Sequence, residues 1–509
     1  MEQIRIENFS GGINDVIEPH LLDSRFSKNL TNAFVTNGAI KSAKKLEVTD
    51  PVVSYLTHQT GERSIVHWAD EYFWSDNNSG DMSSTQGYLG VESVGNNVIA
   101  SDGAAGGRFP EGQVFKYFYT YSTNEGYRGA PYSLTDVTSY TGPSGDGGTV
   151  VMTGFDTEIP NYVTYIEIWR TTGDGEEYYK VGQVNRFSGD EFGNITFTDD
   201  VADENLILNE KYDLTAPDHK PEIGKYLCEK NGVFFLAVGS KVYFSKQSNP
   251  HSYPPLQYVN FDDDISGMLA FEDYVFVMTI NRSYILTGDS IVDIAKQELP
   301  DAQGIKNWKT AHRVKNMPVW ISNDGLCAYV QYDQRSGRKV QVLTENLFTI
   351  PDSPKSAVVA NDIYYLFYES ETIAFDFREQ LKITRLDWSL DWAWYDKNND
   401  MLIGKLGVVY YKDDAGDELE FEYLSPEFVA GDMQKLKLIG RVHADANCEL
   451  KFTYYTEGTE VWSYTLPYAG IDQRTEYISP LVMGRRIQVK IQGTGTLRGL
   501  SFDYEMRRM

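Results

Sequence analysis

The chain has 509 residues, with 46 Lys plus Arg against 73 Asp plus Glu and a formal net charge of −27. Such a surface repels nucleic-acid phosphate and anionic membranes at long range, which speaks against a protein that grips DNA but not against one that DNA slides past. At 41% hydrophobic residues, with 35 Tyr and 25 Phe, the composition favours sheet, and the length predicts two to four domains of a mainly β protein.

The amino terminus, MEQIRIENFSGG, carries neither a basic nor an apolar segment, so no signal peptide is expected. No run of about 18 apolar residues occurs, so no membrane anchor is expected. Cys228, Cys327 and Cys448 lie far apart inside apolar runs with no CxxC pair, which predicts buried thiols in a protein that folds in a reducing cytosol.

The first strand–turn–strand pattern is YLTHQTGERSIVHWADEYFWSD, 55–76. A Gly-rich linker, SDGAAGGRF (101–109), follows. Beyond it come five short strand-like runs, at 115–123, 149–155, 162–172, 177–184 and 195–201, with TGPSGDGGT as a loop between the first two. Short strands with polar turns predict a β-sandwich of fibronectin type III kind.

From residue 228 the pattern changes to a repeat. CEKNGVFFLAVGSKVYFSKQSNP (228–250) reads as strands with turns at Asn231-Gly232 and Gly239-Ser240. Copies follow at 267–289 (turns Glu272-Asp273 and Asn281-Arg282), 311–333 (Asn316-Met317 and Asn323-Asp324-Gly325) and 356–378 (Asn361-Asp362), with a weaker one at 392–414. The first turns, at 231, 272, 316 and 361, are spaced by 41, 44 and 45 residues. A period of roughly 40–50 residues holding three or four strands is the pattern of a β-propeller blade. Near the carboxyl terminus, CELKFTYYTEG and RRIQVKIQG alternate apolar and polar residues, which predicts half-buried antiparallel strands.

The expected organisation is a β-propeller with an inserted fibronectin type III-like β-sandwich and a C-terminal β-sandwich. An N-terminal arm with the first strands occupies 1–50 and a first blade region 51–104. The inserted sandwich covers 105–218, the remaining blades 219–417 and the C-terminal sandwich 418–509.

Signals for chemistry are sparse. The seven histidines are scattered without HExxH or HxH spacing, and there is no GxSxG elbow and no phosphate loop. NFDDDISG (260–267) gathers Asp262, Asp263 and Asp264, oxygen ligands of the kind calcium prefers, but at a spacing that fits no calcium loop. They read as a solvated inter-strand turn or an acidic patch. Glycoside hydrolysis needs two facing carboxylates, and none is marked. SNDGLCAY (322–329) approaches a sialidase Asp-box, yet Gly325 comes one residue early and no Thr-Trp follows, so it reads as hairpin chemistry. No catalytic residue, metal site or cofactor is predicted.

Several segments together resemble one family. NFSGGINDVIEPHLLDSRFSKNLTNAFVTNGAIKSAKKL (8–46) is similar to the opening of podovirus tail nozzle proteins, also called tail tubular protein B or packaged-DNA stabilisation proteins. The matching positions are Phe9, Gly11, Gly12, Pro19, Leu30, Asn32, Gly38 and Ile40, followed by Lys41. VTYIEIWRTTGDGEEYYKVGQV resembles the family's Ile-Tyr-Arg-Thr hairpin, with Trp169 in the Tyr place and Arg170-Thr171 kept. FTDD (197–200), the blades near 232, 265 and 314, and the terminal segments YLSPEFVAGDMQKLKLIGRVHADA and LVMGRRIQVKIQGTG follow in the family's order. The region 76–104 and the weak fifth blade match nothing in it.

The resemblance implies a non-enzymatic virion tail protein assembled in the host bacterial cytoplasm. Its subunits would form a six-fold ring of identical copies below the portal and head–tail adaptor, near tail fibres or spikes. Double-stranded DNA would be retained behind the ring and would pass through it without specific contacts. It also implies that Asp262, Asp263 and Asp264 face the lumen or a subunit boundary. Two other readings stay open: a receptor- or glycan-binding tail protein using Trp68, Trp74, Trp388, Trp392 and Trp394, and a glycan depolymerase with two carboxylates.

Overall fold

The computed structural model describes residues 2–6, 9, 11–17, 26–37, 39–49, 63–68, 71–76, 82–84, 89–142, 148–189, 194–288, 292–299, 303–333, 337–396, 401–406, 409–412, 417–428, 436–468 and 470–507. The protein is mainly β. Among the described residues the one α-helix is the four-residue Asp203–Leu206, and no helix is long and apolar enough to cross a membrane. The chain divides into two compact units, one made of 63–277 with 285–297, the other of 1–62, 278–284 and 298–509.

In the first unit, Arg63–Trp68, Glu71–Asp76 and Met82–Ser84 form a three-stranded sheet. Tyr226–Lys230, Val233–Val238, Lys241–Phe244 and Tyr258–Asn260 form an antiparallel four-stranded meander. Its first turn is the one the sequence predicts. Lys230 pairs with Val233, and Asn231 and Gly232 take φ 53° and 76°, the left-handed pair that a two-residue turn demands. The first strand, Tyr226–Lys230, lies beside the first strand of the three-stranded sheet and beside Ile265–Ala270. Val66, Phe73, Leu89, Leu227, Phe234, Leu236, Tyr243 and Tyr253 make one buried cluster.

In the chain, the segment between these two sheets forms two further layers packed as a sandwich on a core of their own. One layer is Ile99–Phe109, Gly148–Thr153 and Phe197–Asp199; the other is Thr138–Thr141, Val114–Ser122, Tyr165–Thr171 and Tyr178–Asn185. The expected linker SDGAAGGRF is therefore a strand. It pairs with Gly148–Thr153 through two register shifts, at Asp102/Ala105 and Ala105/Phe109. Its glycines disfavour a strand locally, but a waiting partner edge supplies the ladder, and bulges absorb the surplus residues. Phe109, Val150 and Met152 meet Tyr117, Tyr119, Ile166 and Ile168 between the layers. Phe118, Trp169, Tyr178 and Tyr212 bury the outer face of the four-stranded layer. A strand covered on both sides needs no alternation, which explains FKYFYTYS.

The second unit holds three more meanders. The first is His312–Val314, Met317–Ile321, Leu326–Asp333 and Gly337–Val342; the second is Ser356–Ala360, Ile363–Phe367, Thr372–Asp376 and Lys382–Leu386. The third, Trp392–Asp396, Met401–Leu406 and Val409–Lys412, takes its fourth strand, Glu47–Thr49, from the N-terminal segment. The fifth repeat is weak in sequence because its last strand lies far away in the chain. The turn expected at Asn316-Met317 sits one residue earlier, on Lys315 and Asn316 with φ 45° and 67°, because Met317 pairs with Val314. The first strand Ser356–Ala360 lies beside His312–Val314 and Trp392–Asp396.

The terminal segments interlock. Glu2–Ile6, Ala33–Thr36 and Ala39–Ser42 join Leu436–Ala446, Gln473–Gly484 and Thr496–Arg507 in one sheet. Asn29–Thr31 joins Phe421–Leu424, Ile487–Gly493, Leu450–Thr456 and Thr459–Leu466 in a second, which continues the meander Ser356–Leu386 through the pairing of Arg385 with Thr31. Ile6, Phe9, Leu30 and Ile40 share a core with Ile439, Val489 and Phe502. Burying each such side chain contributes about 1.5–3 kcal/mol, so both ends of the chain depend on each other.

Candidate functional site

The acidic triplet occupies the link between Tyr258–Asn260 and Ile265–Ala270. Buried Phe261 and Ile265 bracket it, while Asp262 and Asp264 are exposed and Asp263 is half-buried. Two backbone hydrogen bonds tie the link to the Gly239-Ser240 turn. Phe261 N–H donates to Ser240 O at 2.8 Å, and Ile265 N–H donates to Gly239 O at 2.9 Å. A Cβ placed on Gly239 would stand 3.6 Å from Asp264 Oδ1. Two cations border the link: Lys241 Nζ lies 4.4 Å from the Tyr258 ring, and Lys296 Nζ donates to Asn260 O at 2.8 Å. Among the described residues no group of three or more His, Cys, Asp or Glu side chains is placed to hold a metal. The triplet can exert a field on a passing charge and has no cage geometry.

The segment nearest a sialidase box is a closed turn. Ser322 N–H donates to Gly325 O, Ser322 Oγ accepts from Asp324 N–H and from Cys327 Sγ, and Leu326 N–H donates to Thr344 Oγ1. These partners are backbone groups, a thiol and a hydroxyl, so nothing there activates Ser322 as a nucleophile. All three cysteines are buried and unbridged. Burial pushes the Cys327 and Cys448 thiols up to about 11 and Cys228 higher still, which makes them inert packing groups.

Of the five tryptophans considered for sugar binding, Trp388 is buried, stacked on Tyr365 at 5.8 Å, and its Nε1–H donates to Lys44 O at 3.0 Å. Trp74 and Trp392 are half-buried. The side chains of Trp68 and Trp394 lie outside the described residues. The structure does not gather the five into one described site.

Two clefts were not foreseen. One, of about 500 Å³, lies in the inserted sandwich and is lined by Glu92, Asn96, Tyr121, Phe155, Asp156 and Glu158. Asp156 Oδ2 accepts there from Tyr121 OH and Gly95 N–H, both at 2.6 Å. The other, of about 240 Å³, lies where Val16 of the N-terminal segment meets Ser322, Thr344 and Phe348. Neither has a sequence signature, because each is lined by segments far apart in the chain.

The N-terminal motif residues have architectural positions. Phe9 stacks edge-on against Tyr423 at 5.1 Å. Asn32, at φ 54°, donates from Nδ2 to Asp387 Oδ2 (2.6 Å) and Glu420 O (3.3 Å), and its Oδ1 accepts from Asp387 N–H at 2.8 Å. Pro19 and Gly38 lie outside the described residues.

No family profile matches the chain, and no curated protein matches it in sequence. Among solved structures it overlaps loosely with a glycoside hydrolase family 43 arabinoxylan arabinofuranohydrolase from Bacillus subtilis, at 8% identity and TM-score 0.21, over 71% of this chain and 93% of that one. It overlaps with AztD from Citrobacter koseri at 10% identity and TM-score 0.27, over 75% and 99%. An exo-beta-1,3-galactanase from Phanerochaete chrysosporium gives 8% identity and TM-score 0.19, over 90% and 100%. Overlaps this loose carry no weight for chemistry.

Proposed function

We propose that the chain is a structural subunit of a short phage tail, a nozzle ring that holds back packaged DNA and conducts it at ejection. The observation that carries this reading is the placement of the N-terminal motif. Phe9, Leu30, Asn32 and Ile40 are each buried, and Asn32 ties the N-terminal segment to the meander and to the terminal sheets. Residue types that the resemblance singles out thus stand where a rigid wall needs fixed joints. Within each unit the meanders have their first strands side by side, which supports a β-propeller frame with each meander as a blade. The inserted layers support a fibronectin-like sandwich.

In this reading the protein is not an enzyme and acts by shape and charge. A net charge of −27 keeps phosphate from adhering to the channel. A closed ring of identical copies requires heterologous contacts that return on themselves. The adaptor or portal above, and fibres or spikes beside it, complete the partners.

The test is antibody-gold labelling of phage particles followed by electron microscopy. Label confined to the axial tip of a short tail supports a nozzle. Label on lateral fibres or spikes, or none on tailed particles, overturns it.

A further inference from the structure

The chain enters and leaves the inserted sandwich at one place, and both crossings are pinned there. Leu89 is buried in the core of the three-stranded sheet and the 226–260 meander, whereas Val91 is buried in the core of the sandwich. Gly90 between them has φ +81°, and a Cβ there would stand 2.3 Å from Pro221 Cδ on the outgoing connection. The backbone therefore passes from one core to the other across a single glycine, pressed against the returning chain.

Around that crossing the contacts are polar and converge. Gly90 N–H donates to His251 Nδ1 at 2.9 Å. The buried His251 ring lies 5.5 Å from Phe73 of the three-stranded sheet and 4.1 Å from Tyr127 of the sandwich. Asp218, on the outgoing connection, accepts from Lys246 Nζ (2.9 Å) and Ser252 Oγ (2.7 Å) of the meander, and Arg128 Nη1 of the sandwich lies 3.6 Å away. Arg128 also pairs with Glu167 and Glu210 and covers the Trp169 ring at 4.6 Å. Glu92 and Lys220 pair across the two connections, and Tyr253 N–H donates to His219 O at 2.8 Å.

We propose that the inserted sandwich is a hinged module, with Gly90 and the Lys220-Pro221 segment as its two-stranded hinge. The cluster of Arg128, Asp218, Lys246 and His251 is the latch that holds it on the meander. Each side has its own apolar core, and the contacts at the crossing are mainly hydrogen bonds and ion pairs. Relative motion is the default for modules joined in this way unless the joint is locked. A buried ion-pair group locks through geometry, and losing one partner leaves a desolvated charge, so release is steep. For a ring subunit, such a module can take one position before assembly and another after it.

The test uses the full-length protein and a variant altered only on the meander side, Lys246→Met with His251→Phe. Hydrogen exchange is followed at two amides that report on the hinge, Gly90 and Tyr253 (bonded to His219 O of the outgoing connection), and at the sandwich-core amides Tyr119 and Ile168. The expected result is hinge exchange faster by about tenfold or more, as loss of a charged hydrogen bond implies, with core exchange unchanged. Unchanged hinge exchange overturns the latch. Equal acceleration at hinge and core overturns the hinge, since the sandwich and meander would then open as one body. Should the double variant fail to fold, Lys246→Gln alone gives the same readings with a smaller hinge effect.

Discussion

Arg170 and Asp199 meet inside the inserted sandwich with Nε 2.8 Å from Oδ2, and neither side chain reaches solvent. Arg170 also pairs with Asp203 at 2.7 Å, donates to Val201 O at 2.7 Å and lies over the Phe109 and Phe115 rings. Tyr117 OH donates to Asp199 at 2.9 Å. Burial pushes the Asp199 carboxyl up, against the Arg170 charge that pulls it down. Removing one partner of such a pair strands the other, so Arg170→Met is expected to destabilise the sandwich by about 3–5 kcal/mol in denaturant unfolding. Asp199→Asn leaves the cation with Asp203 and should cost less. A loss under about 1 kcal/mol for Arg170→Met would show that the pair is neutral in the fold.

Asn32 couples a left-handed backbone to three side-chain hydrogen bonds. Asn32→Ala removes the bonds and forces a Cβ residue without an amide into that conformation, at about 2–4 kcal/mol. Asn32→Gly keeps the conformation and loses only the bonds. Thermal unfolding should therefore rank the parent above Gly and Gly above Ala. An Ala variant as stable as the Gly variant would mean that the backbone relaxes.

Acid should weaken the fold in two steps. Burial pushes His312 down to about 4, despite hydrogen bonding with the Lys309 and Ala357 backbone. The unfolded chain takes up a proton near pH 6.5 and the folded chain does not, so stability falls as pH drops from about 6.5 to 4, by about 1–3 kcal/mol for the partly buried ring. Burial raises Glu167, but Arg128 and Lys180 outweigh it and hold its carboxyl below the usual range. Its contribution is full above the ordinary Glu range and is lost progressively as pH falls from that range through the lower folded value. Denaturant midpoints against pH should show both steps, and His312→Gln should flatten the first. A profile unchanged by that substitution contradicts the assignment.

Neutralising the link, Asp262→Asn with Asp263→Asn and Asp264→Asn, should leave unfolding within about 0.5 kcal/mol of the parent, since two of the three side chains are exposed and the link is held by backbone bonds. On the proposed nozzle function, phage carrying the variant should eject DNA more slowly. Ejection at the parental rate would remove the triplet from the function.

Local chemistry wrote part of this structure directly. The Asn231-Gly232 and Asn361-Asp362 turns stand where the sequence placed them, because a positive-φ pair costs Asn, Asp and Gly little wherever it occurs. The meanders they join were legible for the same reason. Three features needed tertiary structure. SDGAAGGRF becomes a strand only because Gly148–Thr153 offers it a ladder. Glu47–Thr49 completes a sheet more than 340 residues away, and Glu2–Ile6 closes another against Thr496–Arg507. The Arg128, Asp218, Lys246 and His251 cluster draws on three separate segments that no sequence signal links to one another. Turn preference acts over two to four residues and is visible in any window, whereas a ladder partner or an ion-pair network exists only once the chain has returned to the same place.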